Sequence, residues 1–204
     1  MEFPGCPDIL VESQAKRITL TFDSSKACEQ SGKLKRNGKL VIQYPLSAST
    51  SSKWSLTYVG YSLQNDSIQG TREFNLTALD QVMETFTNVK ISSNLQVNST
   101  ISGTLNHTLT KFRNKLTGFS SMGTISGVNP AGRLFLTELK SPRQSLISCY
   151  SQNEVLPISG KEIWTVNRGK NQTVTHSLSY ESSGSCTTTA TVRLSDGRNL
   201  QVTL

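Results

Sequence analysis

The chain has 204 residues, of which 35% are hydrophobic and 17% charged, with a formal net charge of +7. That length removes roughly 70% of the unfolded surface from water, so a sizeable core is attainable in one large β domain or two small ones. Disorder is excluded because the apolar residues alternate instead of thinning out into charge, and no run approaches the roughly 20 apolar residues of a membrane-spanning helix.

Met1-Glu2-Phe3-Pro4-Gly5 has neither the basic nor the apolar region of a signal peptide. If the protein is exported, the sequence is therefore read as a mature form. Cys6 follows, and Gly5-Cys6 only superficially resembles a lipoprotein cleavage site. Ile18, Leu20 and Phe22 then alternate, as do Leu40, Ile42 and Tyr44, which is the signature of half-buried strands. Between them lie Asp23, a Ser-rich turn, Cys28 and the basic group at 33–39. Asn37-Gly38 reads as a hairpin turn, because Asn and Gly tolerate positive φ. The basic group suits solvated charge that discourages edge pairing better than it suits a nucleic-acid patch.

Residues 45–53 read as a loop. Trp54, Tyr58 and Tyr61 follow closely in KWSLTYVGY, and Trp54, Leu56 and Tyr58 share one strand face. Such a face is a candidate platform for sugar rings, with core packing as the competing explanation. Trp164 carries the same ambiguity. Residues 76–87, LTALDQVMETFT, break the alternation: Leu79, Val82, Met83 and Phe86 fit helical spacing, with Thr77 as cap and Asp80 three residues on. A short amphipathic helix is expected there.

Strand alternation resumes at Val89 and Ile91, then at Leu95 and Val97, Leu134 to Leu139, Val192 and Leu194, and Leu200 to Leu204. The tripeptide Ile-polar-Gly recurs at 68, 101, 125 and 158, where glycine would permit a bulge or twist. Asn65-Asp66, Asn129-Pro130, Asn167-Arg168-Gly169 and Asp196-Gly197 supply turns. Residues 176–204 repeat the order of 17–44: an alternating run, an acidic residue (Glu181 matching Asp23), a Ser-rich turn, a cysteine (Cys186 matching Cys28), and two further runs around a turn. One domain over 1–204 is expected, with 6–70 and 149–204 as related halves and 71–148 as connecting strands.

Four cysteines permit three pairings. They show no CxxC spacing and lie away from His107 and His176, which disfavours zinc. The duplication favours Cys6–Cys28 and Cys149–Cys186, and hence an oxidising compartment.

The order of these segments resembles a family of uncharacterised exported lipoproteins of Bacteroidetes-type bacteria. Arg36, Gly38, Lys39, Leu40, Ile42 and Tyr44 match its first-half signature, and Ala190, Thr191, Val192, Gly197, Val202 and Leu204 its ending. The resemblance implies two cysteine-bearing β halves and export to the periplasm, outer membrane or cell surface. It implies no activity, and membrane attachment only through a lipid anchor absent from this chain. At 182–185 a Ser-Ser-Gly-Ser turn stands in place of the family's more acidic run.

Candidate chemistry is sparse. Asp23 and Glu181 offer one carboxylate per turn, too few for calcium, so no metal is expected. Neither GxSxG nor SxxK occurs, although a triad assembled in three dimensions is a separate matter. No cofactor motif appears, and the basic residues lack the interleaved aromatics of nucleic-acid binders. Five N-x-S/T sequons, at Asn65, Asn75, Asn98, Asn106 and Asn171, carry meaning only in a eukaryotic secreted protein. The expectation is an all-β antiparallel meander, a sandwich or curved sheet with at most one short helix. Its expected function is non-enzymatic, structural or ligand-binding, with a glycan, a lipid or an envelope protein as partner and Trp54, Tyr58, Tyr61 and Trp164 as candidate ligand residues. The alternative is a periplasmic carrier holding an apolar ligand between the curved sheet and the 76–87 helix.

Overall fold

Alternating sequence punctuated by tight turns leads the chain to pair each strand with the next. The computed structural model describes residues 5–26, 28, 34–45, 52–93, 97–150, 152, 154–169, 172–183 and 186–202. The strands are β1 (Asp8–Glu12), β2 (Arg17–Phe22), β3 (Arg36–Gln43), β4 (Lys53–Leu63), β5 (Asp66–Ala78), β6 (Gln81–Ser93), β7 (Asn98–Phe112), β8 (Lys115–Val128), β9 (Leu134–Leu146), β10 (Ser159–Gly169), β11 (Gln172–Ser182), β12 (Thr188–Arg193) and β13 (Asn199–Val202). They form one open antiparallel sheet in strict sequence order, so the meander is a single sheet and not a sandwich. Helix α1 (Ile147–Tyr150) follows β9 and carries Cys149. The loop at 46–51, Lys33, Leu95, Asn171, Gly184-Ser185 and Leu204 lie outside the described residues.

The two faces differ in chemistry. Cross-strand registers place Ile18, Ile42, Leu56, Arg72 and Phe86 in one row. Phe86, Val89, Leu105 and Leu139 are buried there, with Ile68, Ile101 and Ile125 packed against them. A second cluster joins Leu178, Tyr180 and Ala190 to Leu156 and Val192. The opposite face is threonine-rich: Thr85, Thr104 and Thr124 stand in register, and the Thr57 and Thr71 hydroxyls lie 3.0 Å apart. Hydroxyl β-branched residues suit a wet pleated surface, which explains the low apolar content of an ordered chain.

A row of register breaks crosses the sheet. It runs through Asn37/Lys39, Tyr58/Tyr61, Gln69/Arg72 and Phe86/Val89, then reappears at Ser121/Thr124 and Ser159/Lys161. Each break leaves extra residues on one strand, and such bulges bend a strand and raise its twist. Spread over β3 to β10, they mark a crease at which the strands bend. Of the Ile-polar-Gly repeats, Gly70 and Gly160 sit within these breaks, Gly103 borders the Phe86/Val89 break, and Gly127 is regularly paired.

Two expectations are corrected. Residues 76–87 form no helix: they are the end of β5, a turn at Leu79-Asp80 and the start of β6. Val82, Glu84 and Phe86 are the buried set, at period two, while Leu79 is 82% exposed at the turn. A buried carboxylate interrupted the apolar alternation and left Leu79, Val82, Met83 and Phe86 to imitate a helical stripe. The Thr77 hydroxyl bonds the Gln81 carbonyl across the turn instead of capping a helix. Likewise, Asn37-Gly38 is not a hairpin turn: it lies inside β3, where Gly38 faces the bulge that Gly60-Tyr61 make on β4. Gly38 has φ +84, and a Cβ there would lie 2.1 Å from the Gly60 carbonyl oxygen, so left-handed backbone and close approach both require glycine. Asp196-Gly197 does form the β12–β13 turn, with Asp196 Oδ1 accepting from Arg198 N at 3.0 Å.

Both expected disulfides are present. Cys6–Cys28 ties the segment before β1 to the β2–β3 connection, and Cys149–Cys186 ties α1 to the β11–β12 connection. The protein therefore belongs to an oxidising, non-cytoplasmic setting.

Candidate functional site

The aromatic residues of β3, β4 and β5 meet in one cross-strand row. Trp54 lies opposite Phe74, and Tyr44 follows Gln43, which pairs with Ser55. The Trp54 and Phe74 rings stack with centroids 5.4 Å apart and planes within 5°; Tyr44 and Trp54 stack at 6.5 Å and 29°. On the opposite face of the sheet, Gln43, Lys53, Ser55, Glu73, Asn75, Met83 and Thr85 line a shallow polar groove of about 510 Å³. Gln43 anchors one wall, its Nε2 donating to the Ala15 carbonyl at 2.8 Å and the Tyr44 carbonyl at 2.9 Å. The ring row ends at Tyr44, which is 41% exposed, and so presents aromatic carbon to a ligand with an apolar face.

The other sequence candidates fall elsewhere. Tyr61 is buried, edge-on to Phe22 at 5.7 Å. Tyr58 packs on Tyr61 at 5.6 Å and lies against Arg72. Burial raises the ionisation of both phenols above the ordinary tyrosine value, with Arg72 opposing at Tyr58 and Arg36 at Tyr61. These two tyrosines are core residues. Trp164 is on β10, six strands from Trp54, and donates its indole N–H to Glu162 at 3.1 Å.

Sequence reading missed two buried carboxylates. Glu84 receives Arg72 Nη1 at 2.5 Å and lies 2.8 Å from His107 Nε2, while His107 Nδ1 lies 2.8 Å from Ser121 Oγ. Burial pushes the Glu84 carboxyl up, but His107 and Arg72 together hold it below its ordinary value. As a carboxylate it is an acceptor only, so Nε2 carries the proton of that bond. Arg72 also lies over the Phe86 ring, 4.6 Å from its centre. Glu162 similarly accepts from Arg143 and from Tyr180 Oη, each at 3.2 Å. Burial and Glu162 push Tyr180 far above its ordinary value.

Ser121, His107 and Glu84 have the residue types of a hydrolytic triad. Ser121 is only 1% exposed, so no carbonyl carbon can reach its oxygen, and that accessibility decides the chemistry. The array acts as a polar clamp joining β5, β6, β7 and β8. Among the described residues, no three His, Cys, Asp or Glu side chains gather as metal ligands. Asp23 instead accepts from Ser25 N at 2.9 Å within its turn.

The only sequence signal for the clamp was an acidic residue at an inward position between Val82 and Phe86. Tyr44 and Phe74 carried no local signal, since their place beside Trp54 depends on strand register. Compared with known proteins, the chain matches no family model, no curated protein and no solved structure.

Proposed function

We propose that the protein is a non-enzymatic, exported surface or envelope protein that binds an elongated glycan along the Tyr44–Trp54–Phe74 ring row. The observation that carries this reading is the stacked row of three rings, open to solvent at Tyr44. Sugar rings present apolar faces to aromatic carbons, and a row of rings suits a chain. The two bridges support residence outside the cytoplasm; the periplasm, outer membrane or cell surface is the setting implied by the resemblance to exported lipoproteins. A lipid carrier receives less support, because the element meant to close the sheet over an apolar ligand is the β5–β6 hairpin.

The test is an oligosaccharide array read with Trp54→Ala beside the parent protein. Binding to a defined glycan, weakened about tenfold or more in the variant, an amount equal to roughly 1.4 kcal/mol, supports the proposal. Binding indifferent to Trp54→Ala, or no glycan bound at all, overturns it. Native mass spectrometry of protein purified gently from its own host gives an independent answer: a co-purifying lipid in place of a glycan would favour the carrier.

A further inference from the structure

Hairpin tips in a soluble protein are ordinarily polar, because the turn backbone needs water and turn-forming residues are small and hydrophilic. Two adjacent tips of this sheet depart from that rule. The β5–β6 turn presents Leu79, 82% exposed, and the β7–β8 turn presents Phe112, 64% exposed, with Leu116 exposed beside it. These side chains are held together. Leu109 N donates to the Asp80 carbonyl at 2.7 Å, and Lys111 Nζ meets Asp80 Oδ1 at 2.6 Å. The Leu79 tip is thus fastened to the strand that ends in Phe112.

Three of the four charged residues at these tips are cationic. Lys111, Arg113 and Lys115 surround Phe112, and Asp80 is already neutralised by Lys111. Arg113 lies 5.2 Å from the Phe112 ring centre, which sets the cation beside the ring. Arg113 and Asn114 both take left-handed backbone, at φ 47 and 61. That conformation is uncommon for residues other than glycine, and here it makes the tight turn that throws Phe112 and Lys115 outward.

Exposed apolar side chains ringed by cations match the boundary of an anionic bilayer, where acyl chains lie beneath negative headgroups. A protein partner would require a complementary acidic cup around the same narrow tips, whereas a bilayer needs no such shape. We propose that the joined β5–β6 and β7–β8 tips dock the sheet end-on to an anionic lipid surface, with Leu79 and Phe112 entering the acyl boundary and Arg113 and Lys115 meeting the headgroups. This surface is separate from the aromatic row and stands or falls independently of it.

The experiment is co-sedimentation with vesicles of phosphatidylcholine alone and of equimolar phosphatidylcholine and phosphatidylglycerol. The intact protein should pellet with the anionic vesicles and stay in solution with the neutral ones. One molar salt, which shortens the screening length to about 3 Å, should release it. The pair Leu79→Ser and Phe112→Ser should cut partitioning at least about tenfold, with unchanged far-UV circular dichroism, since both side chains are already in water. Arg113→Gln and Lys115→Gln should each cost about fivefold, the equivalent of roughly 1 kcal/mol per basic residue. As a second readout, Phe112→Trp should be quenched by brominated acyl chains. Failure to pellet with either vesicle, equal binding to both, or full binding by the serine variant would overturn the proposal.

Discussion

Glu84→Gln is the substitution that most directly tests how this sheet holds a charge inside. The replacement keeps the volume and a hydrogen-bonding end, but leaves the Arg72 guanidinium without its counter-charge. Removing one partner of a buried pair costs about 3–5 kcal/mol. Arg72 keeps 27% of its side-chain surface exposed and retains its place over Phe86, so water offsets part of that cost and about 2–3 kcal/mol is expected. For a chain of this length, 1 kcal/mol moves Tm by about 2–4 °C, giving a fall of about 5–10 °C. The pH dependence follows from the direction of the Glu84 shift. Its folded pKa lies below the reference value of 4.5, so its contribution is complete above that pH and is lost as pH falls through the folded value. Urea unfolding at pH 7 should separate variant from parent with an unchanged slope, and the gap should close toward pH 3. A gap of equal size at both pH values, or none at pH 7, would refute the reasoning. The exposed, bidentate Arg17–Glu12 pair, with both contacts at 2.7 Å, is the control: Glu12→Gln should change stability far less, because water already solvates both groups.

Gly123→Ala should prevent stable folding or cost more than about 2 kcal/mol, since φ is +143 and the new Cβ would lie 2.2 Å from the Thr104 carbonyl; Gly132→Ala, with nothing within 4 Å of its Cβ, should cost only about 1 kcal/mol, and similar losses at both sites would contradict the crease. Each disulfide should contribute about 3–4 kcal/mol by restricting the unfolded chain. Because Cys149 is 2% exposed and neither Cys6 nor Cys28 is fully buried, mild reductant followed by peptide mapping should open Cys6–Cys28 first; the reverse order would refute the burial argument. In an alkaline absorbance titration, Tyr58, Tyr61 and Tyr180 should ionise above the reference value of 10.0. Their neutral forms are favoured by folding, so the stability they contribute should decline once pH rises past that value, and one common transition at it for every tyrosine would contradict their placement.

The strands themselves were legible because alternation is local: Ile18 to Phe22 or Leu40 to Tyr44 announces a face without reference to any other segment. Register is not local, and that is where the reading ended. From the β4–β5 turn, Tyr61 pairs with Ile68, and uninterrupted counting would set Phe74 opposite Ser55. The bulge between Tyr58 and Tyr61 adds one residue to β4 and sets Phe74 opposite Trp54 instead. A slip of one residue exchanges the faces of a strand, so this bulge creates the aromatic row, and no pattern in KWSLTYVGY states that it exists. The Asn37-Gly38 misreading has a related cause: the same dipeptide that makes a hairpin turn also serves inside a strand opposite a bulge, and only the paired strand decides between them. Glu84, His107 and Ser121 were invisible as a group because registers over β6, β7 and β8 bring them together from positions 23 and 14 residues apart.

A single-layer sheet has two faces and no second sheet or helical layer to cover either. Its burial is concentrated on one face, along the span that the row of register breaks crosses. The main apolar cluster lies within that span, from Ile68 on β5 to Leu139 on β9. The bridges lie toward its ends: one holds the segment before β1 to the β2–β3 connection, and the other joins α1 to the β11–β12 connection beside the smaller cluster of Leu178, Tyr180 and Ala190. Both covalent links therefore stand outside the main apolar cluster, one on either side of it. The same economy explains the carboxylates. A creased face of limited apolar content is completed by Arg72, Glu84, His107 and Ser121 on one side and by Arg143, Glu162 and Tyr180 on the other, each carboxylate accepting bonds from its neighbours. Directional bonds of this kind fix register in a way that interchangeable apolar contacts do not, and register is what aligns Tyr44, Trp54 and Phe74. The clamp and the ring row meet at one level of the sheet: Phe74 pairs with Trp54 on β4 and with Glu84 on β6.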